Sequence, residues 1–275
     1  IVSDNTGHVC GRCPACERGD YLLCSEKVNL GLGYGYSGGF TKYCRIPGEI
    51  LAIHKRAIWE IPEGLEYEEA AVMDPICNAY KAIAQRSGLL PGENVVIFGT
   101  GPLGLFSVQI AKIMGALNIV VVGLEEDVKV RFGVARQLGA TEVVNGSAED
   151  VVQRCQEICG GSDSIGLVVD CAGANICLKQ AIEMVRCNGE IVRVGMGFKP
   201  VGFSINDISM KAVSIIGHMA YDATSWRNAL QLLAAGRIQV KPMITHRLGL
   251  SRWEEGFEAM ANKEAIKVIL TYDFD

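Results

Sequence analysis

Four thiols lie close together near the start of the chain: Cys10-x-x-Cys13-x-x-Cys16, then Cys24 after seven more residues. Thiolates at this spacing suit a tetrahedral Zn²⁺ held by four sulfurs, a closed site whose role is structural. The loop around it (Gly11, Pro14, Gly19, Asp20) has almost no apolar core of its own. A closed zinc site contributes about 10–16 kcal/mol of apparent binding energy, which here would fasten the loop. Two disulfides or free thiols are the alternative. A redox CxxC fits less well, because four cysteines exceed what a redox pair needs. The second chemical stretch is Gly99-Thr100-Gly101-Pro102-Leu103-Gly104. In a GxGxxG turn the first glycine allows a tight bend and the second lets the backbone approach a pyrophosphate. The third lets a helix pack close to a strand. The free N–H groups and positive dipole end of that helix face the phosphates. A simple strand–helix turn is the plainer alternative. Third, Asp74 stands alone in an apolar stretch just before Pro75. It is either a helix cap or a metal ligand, and sequence rules alone favour the cap.

The elements around these residues decide what they can do. The apolar run 95–98 reads as a buried parallel strand feeding Gly99. Leu103, Leu105, Val108, Ala111, Lys112 and Met114 follow at helical spacing, and Gly115 closes the helix. Strand, glycine turn and helix together are the context that gives GxGxxG its meaning. Further strands are expected at 118–122, 142–144, 165–171, 190–194 and 212–216, and helices at 127–138, 148–158, 175–185 and 224–235. Such alternation predicts an α/β fold with a doubly wound parallel sheet of Rossmann type. Ligands of such sheets bind beyond the carboxyl ends of the strands, here at Gly99, Val122, Asp170 and Val194.

The second strand runs into Gly123, where an NAD site usually has an acid for the ribose hydroxyls. The acids come later, at Glu125, Glu126 and Asp127. No Arg stands in the Gly123-Leu124-Glu125 turn to meet a 2′-phosphate, and Glu125 would repel one, so NAD is favoured and NADP is not excluded. The glycine-rich stretch Gly31-x-Gly33-x-Gly35 lacks a strand–helix frame and reads as a β-turn leading into a strand at 40–46. Residues 1–62 read as β-rich and loop-rich. Near the end, 243–246 and 266–272 read as strands flanking a helix at 251–261, a return to the first domain. The expected division is 1–75, 76–218 and 219–275.

The chain has 275 residues and a net charge of -5, which argues against a nucleic-acid footprint. No apolar run is long enough to span a membrane. Eleven cysteines, an odd number with seven of them scattered, fit a reducing, cytoplasmic setting better than a disulfide scaffold. The chain starts at Ile1 and not at Met, in what reads as mid-strand, so a preceding segment is expected.

Together these residues resemble the zinc-containing medium-chain dehydrogenases, the alcohol, polyol (sorbitol) and L-threonine dehydrogenase group, over nearly the whole chain. The motifs are the four-cysteine lobe, the glycine turn 99–104, Val168-Val169-Asp170-Cys171-Ala172-Gly173, and the tail from Ile244-Thr245-His246-Arg247-Leu248 through Glu255-Gly256-Phe257 to Val268-Ile269-Leu270. Asp74-Pro75-x-x-Asn78-Ala79 is most similar to the threonine and polyol branches. The resemblance implies a Rossmann domain with a partial, β-rich GroES-like catalytic domain. It implies Cys10, Cys13, Cys16 and Cys24 as structural-zinc ligands, and Asp74 as third ligand of a catalytic zinc, which reverses the cap preference. It further implies Asn78 and Leu103 beside the nicotinamide, backbone groups of Val194 on its carboxamide, and Lys267 within reach of the pyrophosphate. Gly99, Gly101, Pro102, Gly104 and Gly123 complete the cofactor set.

The family places two more catalytic-zinc ligands, a Cys and the His of a Gly-His-Glu, ahead of the cysteine lobe. His8, His54, His218 and His246 are the histidines of this chain, and none lies in that motif. The expectation is therefore an N-terminally truncated dehydrogenase with an incomplete catalytic zinc site and little activity alone. Its parent reaction would pass a hydride between a secondary alcohol, polyol or L-threonine and NAD(P), in a homodimer or homotetramer. The alternatives are a non-catalytic module that binds NAD and zinc, and a zinc-independent reductase of the wider family. The cysteine lobe and Asp74 argue against the latter.

Overall fold

The computed structural model describes residues 1–27 and 31–274. The chain divides into two compact units. The first comprises residues 1–77, 219–236 and 244–275, and the second comprises 78–218 and 237–243. In the first unit β1 (Val2–Ser3) leads to α1 (Pro14–Glu17) and α2 (Gly48–Ile53), and β1 pairs antiparallel with β2 (Ile58–Trp59). Two short helices follow, α3 (Tyr67–Ala70) and α4 (Met73–Tyr80). Glu66 and Glu69 close a capping box at the start of α3.

The second unit is built on six parallel strands: β3 (Asn94–Phe98), β4 (Ile119–Gly123), β5 (Glu142–Asn145), β6 (Ile165–Asp170), β7 (Glu190–Arg193) and β8 (Ser214–Gly217). They lie in the order β5-β4-β3-β6-β7-β8. Relative to the first strand this is 3-2-1-4-5-6, the arrangement of dinucleotide-binding Rossmann sheets. Every residue of β3, β4 and β6 is buried. Parallel strands covered on both faces read as unbroken apolar runs, which is how these segments look in sequence. Side chains alternate between the faces. Val96, Phe98, Val120 and Val122 join the core formed with α7 (Val151–Cys159) and α8 (Asn175–Met184). Ile97 instead lies on the side of α5 (Pro102–Ile113), where it comes within 3.8 Å of a Cβ built on Gly104. Helix α6 (Arg131–Leu138) packs beside α5, and α9 (Ile205–Ser209) beside α8.

The registers bring Val122, Phe98, Asp170, Arg193 and Gly217 into one row across the sheet. The strand order reverses between β3 and β6. The carboxyl ends there, at Gly99 and Cys171, are the topological switch point where such folds bind ligands. The chain then returns to the first unit through α10 (Ala223–Ala234), parallel strands β9 (Ile244–Gly249) and β10 (Lys267–Thr271), and α11 (Trp253–Ala261). Trp226 of α10 stacks on Trp59, ring centroids 6.3 Å apart.

Several sequence expectations need correction. Residues 40–46 form no strand. Phe40 to Arg45 are all exposed, so their pattern has no face to bury, and no strand among the described residues pairs with them. Beyond Pro47 the chain forms α2 and not a β element, so among the described residues the strands within 1–62 are the short β1 and β2. The helix expected at 127–138 opens as a 3₁₀ turn, Glu125–Asp127, and becomes α-helical at Arg131. Residues 237–243 group with the second unit, where Ile238 and Val240 are buried. The Gln109 side chain of α5 donates to the Gln239 carbonyl at 2.9 Å and accepts its N–H at 2.7 Å. The turn expected at 31–36 is present, with the Tyr34 and Tyr36 N–H groups donating to the Gly31 carbonyl.

Candidate functional site

In the first unit α1 carries Cys16, Cys13 stands at its N-cap, and the 3₁₀ turn Tyr21–Leu23 delivers Cys24. The Sγ atoms of Cys10, Cys13, Cys16 and Cys24 all lie within 4.8 Å of one another. Cys10 and Cys16 are 4.0 Å apart. Zinc–sulfur bonds of about 2.3 Å at tetrahedral angles require sulfurs about 3.8 Å apart. The Cys10 N–H donates to Cys24 Sγ and the Cys13 N–H to Cys10 Sγ, each at 3.3 Å. Backbone donors of this kind stabilise thiolates. Those of Cys16 and Ser25 pull the Cys13 thiol down to about 6. All eleven thiols are free, so the disulfide alternative is not the arrangement found. Beyond the lobe, burial pushes Cys155 and Cys171 up to about 12, and Cys77 well above the usual thiol range. Cys77 and Cys155 behave as small buried hydrophobes. The donor set at 10, 13, 16 and 24 fits zinc.

Asp74 lies in the first turn of α4. It borders a cavity of about 120 Å³ with Val2, Ser3, Asn5, Ala70, Ala71, Met73 and Trp226. Lys267 opens β10, and burial lowers its ammonium pKa while the Asp74 carboxylate opposes that shift. Among the described residues, the four cysteines are the only group of three or more Cys, His, Asp or Glu side chains placed to hold a metal ion. Asp74 is not one of them. A catalytic zinc therefore does not fit the donors present among the described residues.

The second unit gathers most of the remaining sequence-predicted residues along the carboxyl edge of its sheet. Gly99 turns sharply at a φ of 102°, and a Cβ there would meet Ala172 N at 3.3 Å, so the turns after β3 and β6 touch. Gly101 caps α5, and Pro102 and Leu103 open it. Pro suits the first helical position, where its missing N–H costs nothing. A Cβ on Gly101 would meet nothing within 4 Å, whereas one on Gly104 would lie 2.0 Å from the Gly99 carbonyl oxygen. The turn is thus closed on its strand side and open at Gly101. The early N–H groups of α5 have no carbonyl partner inside the helix, as a bound pyrophosphate needs. Gly123 ends β4. The Val194 N–H already donates to the Asp170 carbonyl at 2.9 Å, so that donor is not offered to a ligand. Asn78 Oδ1 meets His218 Nε2 at 3.1 Å.

Two residues that hold this edge escaped the sequence reading. His218 is one, read in sequence only as standing outside a Gly-His-Glu motif. The other is Arg193 at the end of β7, which pairs with Asp170 and donates to the Gly173 carbonyl at 2.6 Å. Asp170 is fully buried and its other oxygen accepts the Ala172 and Gly173 N–H groups. Burial raises the Asp170 pKa, opposed by those N–H groups and by Arg193. Removing one partner of such a buried pair typically costs about 3–5 kcal/mol. A charged residue ending an otherwise apolar parallel strand was the available signal.

Residues 102–235 match the family described as zinc-binding dehydrogenase. Over its whole length the chain is 72% identical to YdjL of Escherichia coli (strain K12), an uncharacterized zinc-type alcohol dehydrogenase-like protein, and spans 77% of it. The sorbitol dehydrogenase of Halalkalibacterium halodurans is 31% identical over 98% of the chain and 76% of that enzyme. The chain belongs to the zinc-binding alcohol dehydrogenase family. Its fold matches a solved zinc-binding dehydrogenase of Sinorhizobium meliloti bound to NADP, with a TM-score of 0.83 and 28% identity. That match covers 98% of this chain and 75% of the other. Zinc and NAD(P) are the cofactors of this dehydrogenase family, and the four-sulfur cluster and the glycine turn are the features that fit them. No helix among the described residues is long and apolar enough to cross a membrane.

Proposed function

We propose that this chain supplies the cofactor-binding part of hydride transfer between a secondary alcohol and NAD(P). It does so by binding the nicotinamide dinucleotide along the sheet edge and one structural zinc in the cysteine lobe. The observation that carries this is the glycine turn, which is shut against Gly99 at Gly104 and open at Gly101, at the switch point of a 3-2-1-4-5-6 sheet. In this reading the N–H groups at the start of α5 hold the pyrophosphate. Asn78, fixed by His218, and Leu103 flank the nicotinamide. The cofactor supplies the hydride chemistry and the protein orients it. The substrate class is a polyol, sugar alcohol or L-threonine-like alcohol. Support comes from the Asp74-Pro75-x-x-Asn78-Ala79 segment and from the likeness to a sorbitol dehydrogenase. A cytoplasmic homodimer or homotetramer belongs to the same reading.

Because the donors present do not form a catalytic zinc site, the chain by itself binds the cofactor without turnover. The test is NADH fluorescence on the purified chain, followed by assays with NAD and sorbitol, 2,3-butanediol or L-threonine. Enhanced NADH fluorescence with no alcohol-dependent NADH formation is expected. Turnover abolished by Asp74→Ala would overturn the claim of binding without chemistry. Absence of NADH binding would overturn the cofactor assignment.

A further inference from the structure

The end of β4 departs from the NAD-site pattern, in which an acid at the close of the second strand binds the ribose hydroxyls. The structure shows why Gly123 cannot be that acid. A Cβ there would lie 2.5 Å from the Phe132 ring, 2.8 Å from the Thr100 methyl and 2.9 Å from Asp127 Oδ2. Thr100 belongs to the glycine turn, so this position abuts the cofactor cradle directly. Asp127 is buried and fills the space. Its Oδ2 accepts the Leu124 N–H at 2.9 Å, and its Oδ1 pairs with Arg131 at 3.4 Å, both side chains being under a tenth exposed. The Arg131 guanidinium is therefore committed to Asp127 and not offered to a 2′-phosphate.

Glu125 sits on the rim beside this buried pair and is exposed. Its Oε2 accepts from Asn145 Nδ2 at 2.6 Å, and its N–H donates to Ser147 Oγ at 3.1 Å. Asn145 ends β5 in register with Gly123, and its Oδ1 accepts the Ser147 N–H at 3.0 Å. The amide of Asn145 is thus anchored at both ends, and it holds the Glu125 carboxylate at the mouth of the β4 end.

We propose that Glu125, positioned by Asn145, replaces the strand-end acid, accepting hydrogen bonds from the adenosine ribose hydroxyls. The site then selects NAD(H) over NADP(H), because the carboxylate faces the 2′-phosphate and the adjacent cation is sequestered. This rests on the reading that the chain binds a nicotinamide dinucleotide.

Fluorescence titration with NADH and with NADPH tests it on the wild-type chain, Glu125→Gln and Glu125→Arg. Glu125 is exposed, so both variants keep the fold, which far-UV circular dichroism checks. The wild type is expected to bind NADH at least tenfold more tightly than NADPH. Glu125→Gln should bring that ratio to within about threefold by removing the repulsion, and Glu125→Arg should invert it. A wild type that prefers NADPH, or a ratio unmoved in Glu125→Gln while NADH still binds, overturns the Glu125 assignment alone. Binding of neither dinucleotide by the wild type overturns the cofactor reading, and this assignment with it.

Discussion

Stripping the metal from the cysteine lobe, by chelation or by Cys16→Ser, is expected to open residues 10–24 to protease while the six-stranded sheet stays folded. The lobe has little else to hold it. Its buried apolar residues amount to Val9, Ala15, Cys16 and Cys24, with Tyr21 packed alongside, and two of those are proposed metal donors. Its helix is a single turn, too short to be stable by itself in water. The Arg12–Glu26 ion pair across it is exposed and screened by solvent, so it adds little. Against this, four-sulfur zinc binding contributes about 10–16 kcal/mol of apparent folding energy. The sheet has its own core between its strands and α7 and α8, so far-UV circular dichroism should fall only slightly. Limited proteolysis with mapping of the first cleavage site is the measurement. Unchanged protease resistance in both the chelated protein and Cys16→Ser would contradict a metal-held lobe.

A methyl group on Gly104 is expected to destabilise the second unit by about 3 kcal/mol or more, and to weaken NADH binding at least tenfold. A methyl group on Gly101 is expected to weaken binding to a similar degree while leaving stability within about 0.5 kcal/mol. The difference lies in what each methyl meets. At Gly104 it would fall 2.0 Å from the Gly99 carbonyl oxygen and 2.9 Å from the Gly99 carbonyl carbon, both backbone atoms that cannot rotate away. Helix α5 would have to lift off β3, and with it the N–H groups assigned to the pyrophosphate. At Gly101 the methyl meets no protein atom within 4 Å, and the backbone there is ordinary for any residue, with φ at -73°. It would occupy only the space through which the phosphates approach. Denaturant unfolding beside NADH titration of Gly104→Ala and Gly101→Ala separates the two effects. Equal stability losses in both variants, or undiminished NADH binding by Gly101→Ala, would contradict the assignment of the turn.

The legible and illegible parts of this chain differ for physical reasons. Strands β3, β4 and β6 were readable because burial on both faces leaves only apolar residues, and the glycine turn because the spacing GxGxxG follows a strand and opens a helix. The cysteine cluster was readable because metal geometry constrains ligand spacing locally. Residues 40–46 misled because a preceding turn does not supply a partner strand. The helix beginning at Arg131 was placed too early because Glu125 to Asp127 are also compatible with a helix start. Only the fold shows that Asp127 turns inward to cap Leu124 and pair with Arg131. The partnership of Asp170 with Arg193 joins residues 23 apart on neighbouring strands, and that of Asn78 with His218 joins residues 140 apart. No local pattern encodes either. The link of Gln239 to Gln109 is of the same kind, and it is what moves 237–243 away from the expected return segment.

The claim that this chain holds one structural zinc and no catalytic one is tested most directly by counting metal. Elemental analysis on protein purified without added metal should give one zinc per chain, released together with protease resistance of the lobe when the cysteines are modified. Two zincs per chain, with the second lost in Asp74→Ala, would contradict the account, since Asp74 would then have recruited donors that the described residues do not bring together. No zinc at all would contradict it from the other side, because the four sulfurs would then be holding the lobe without the ion their geometry fits.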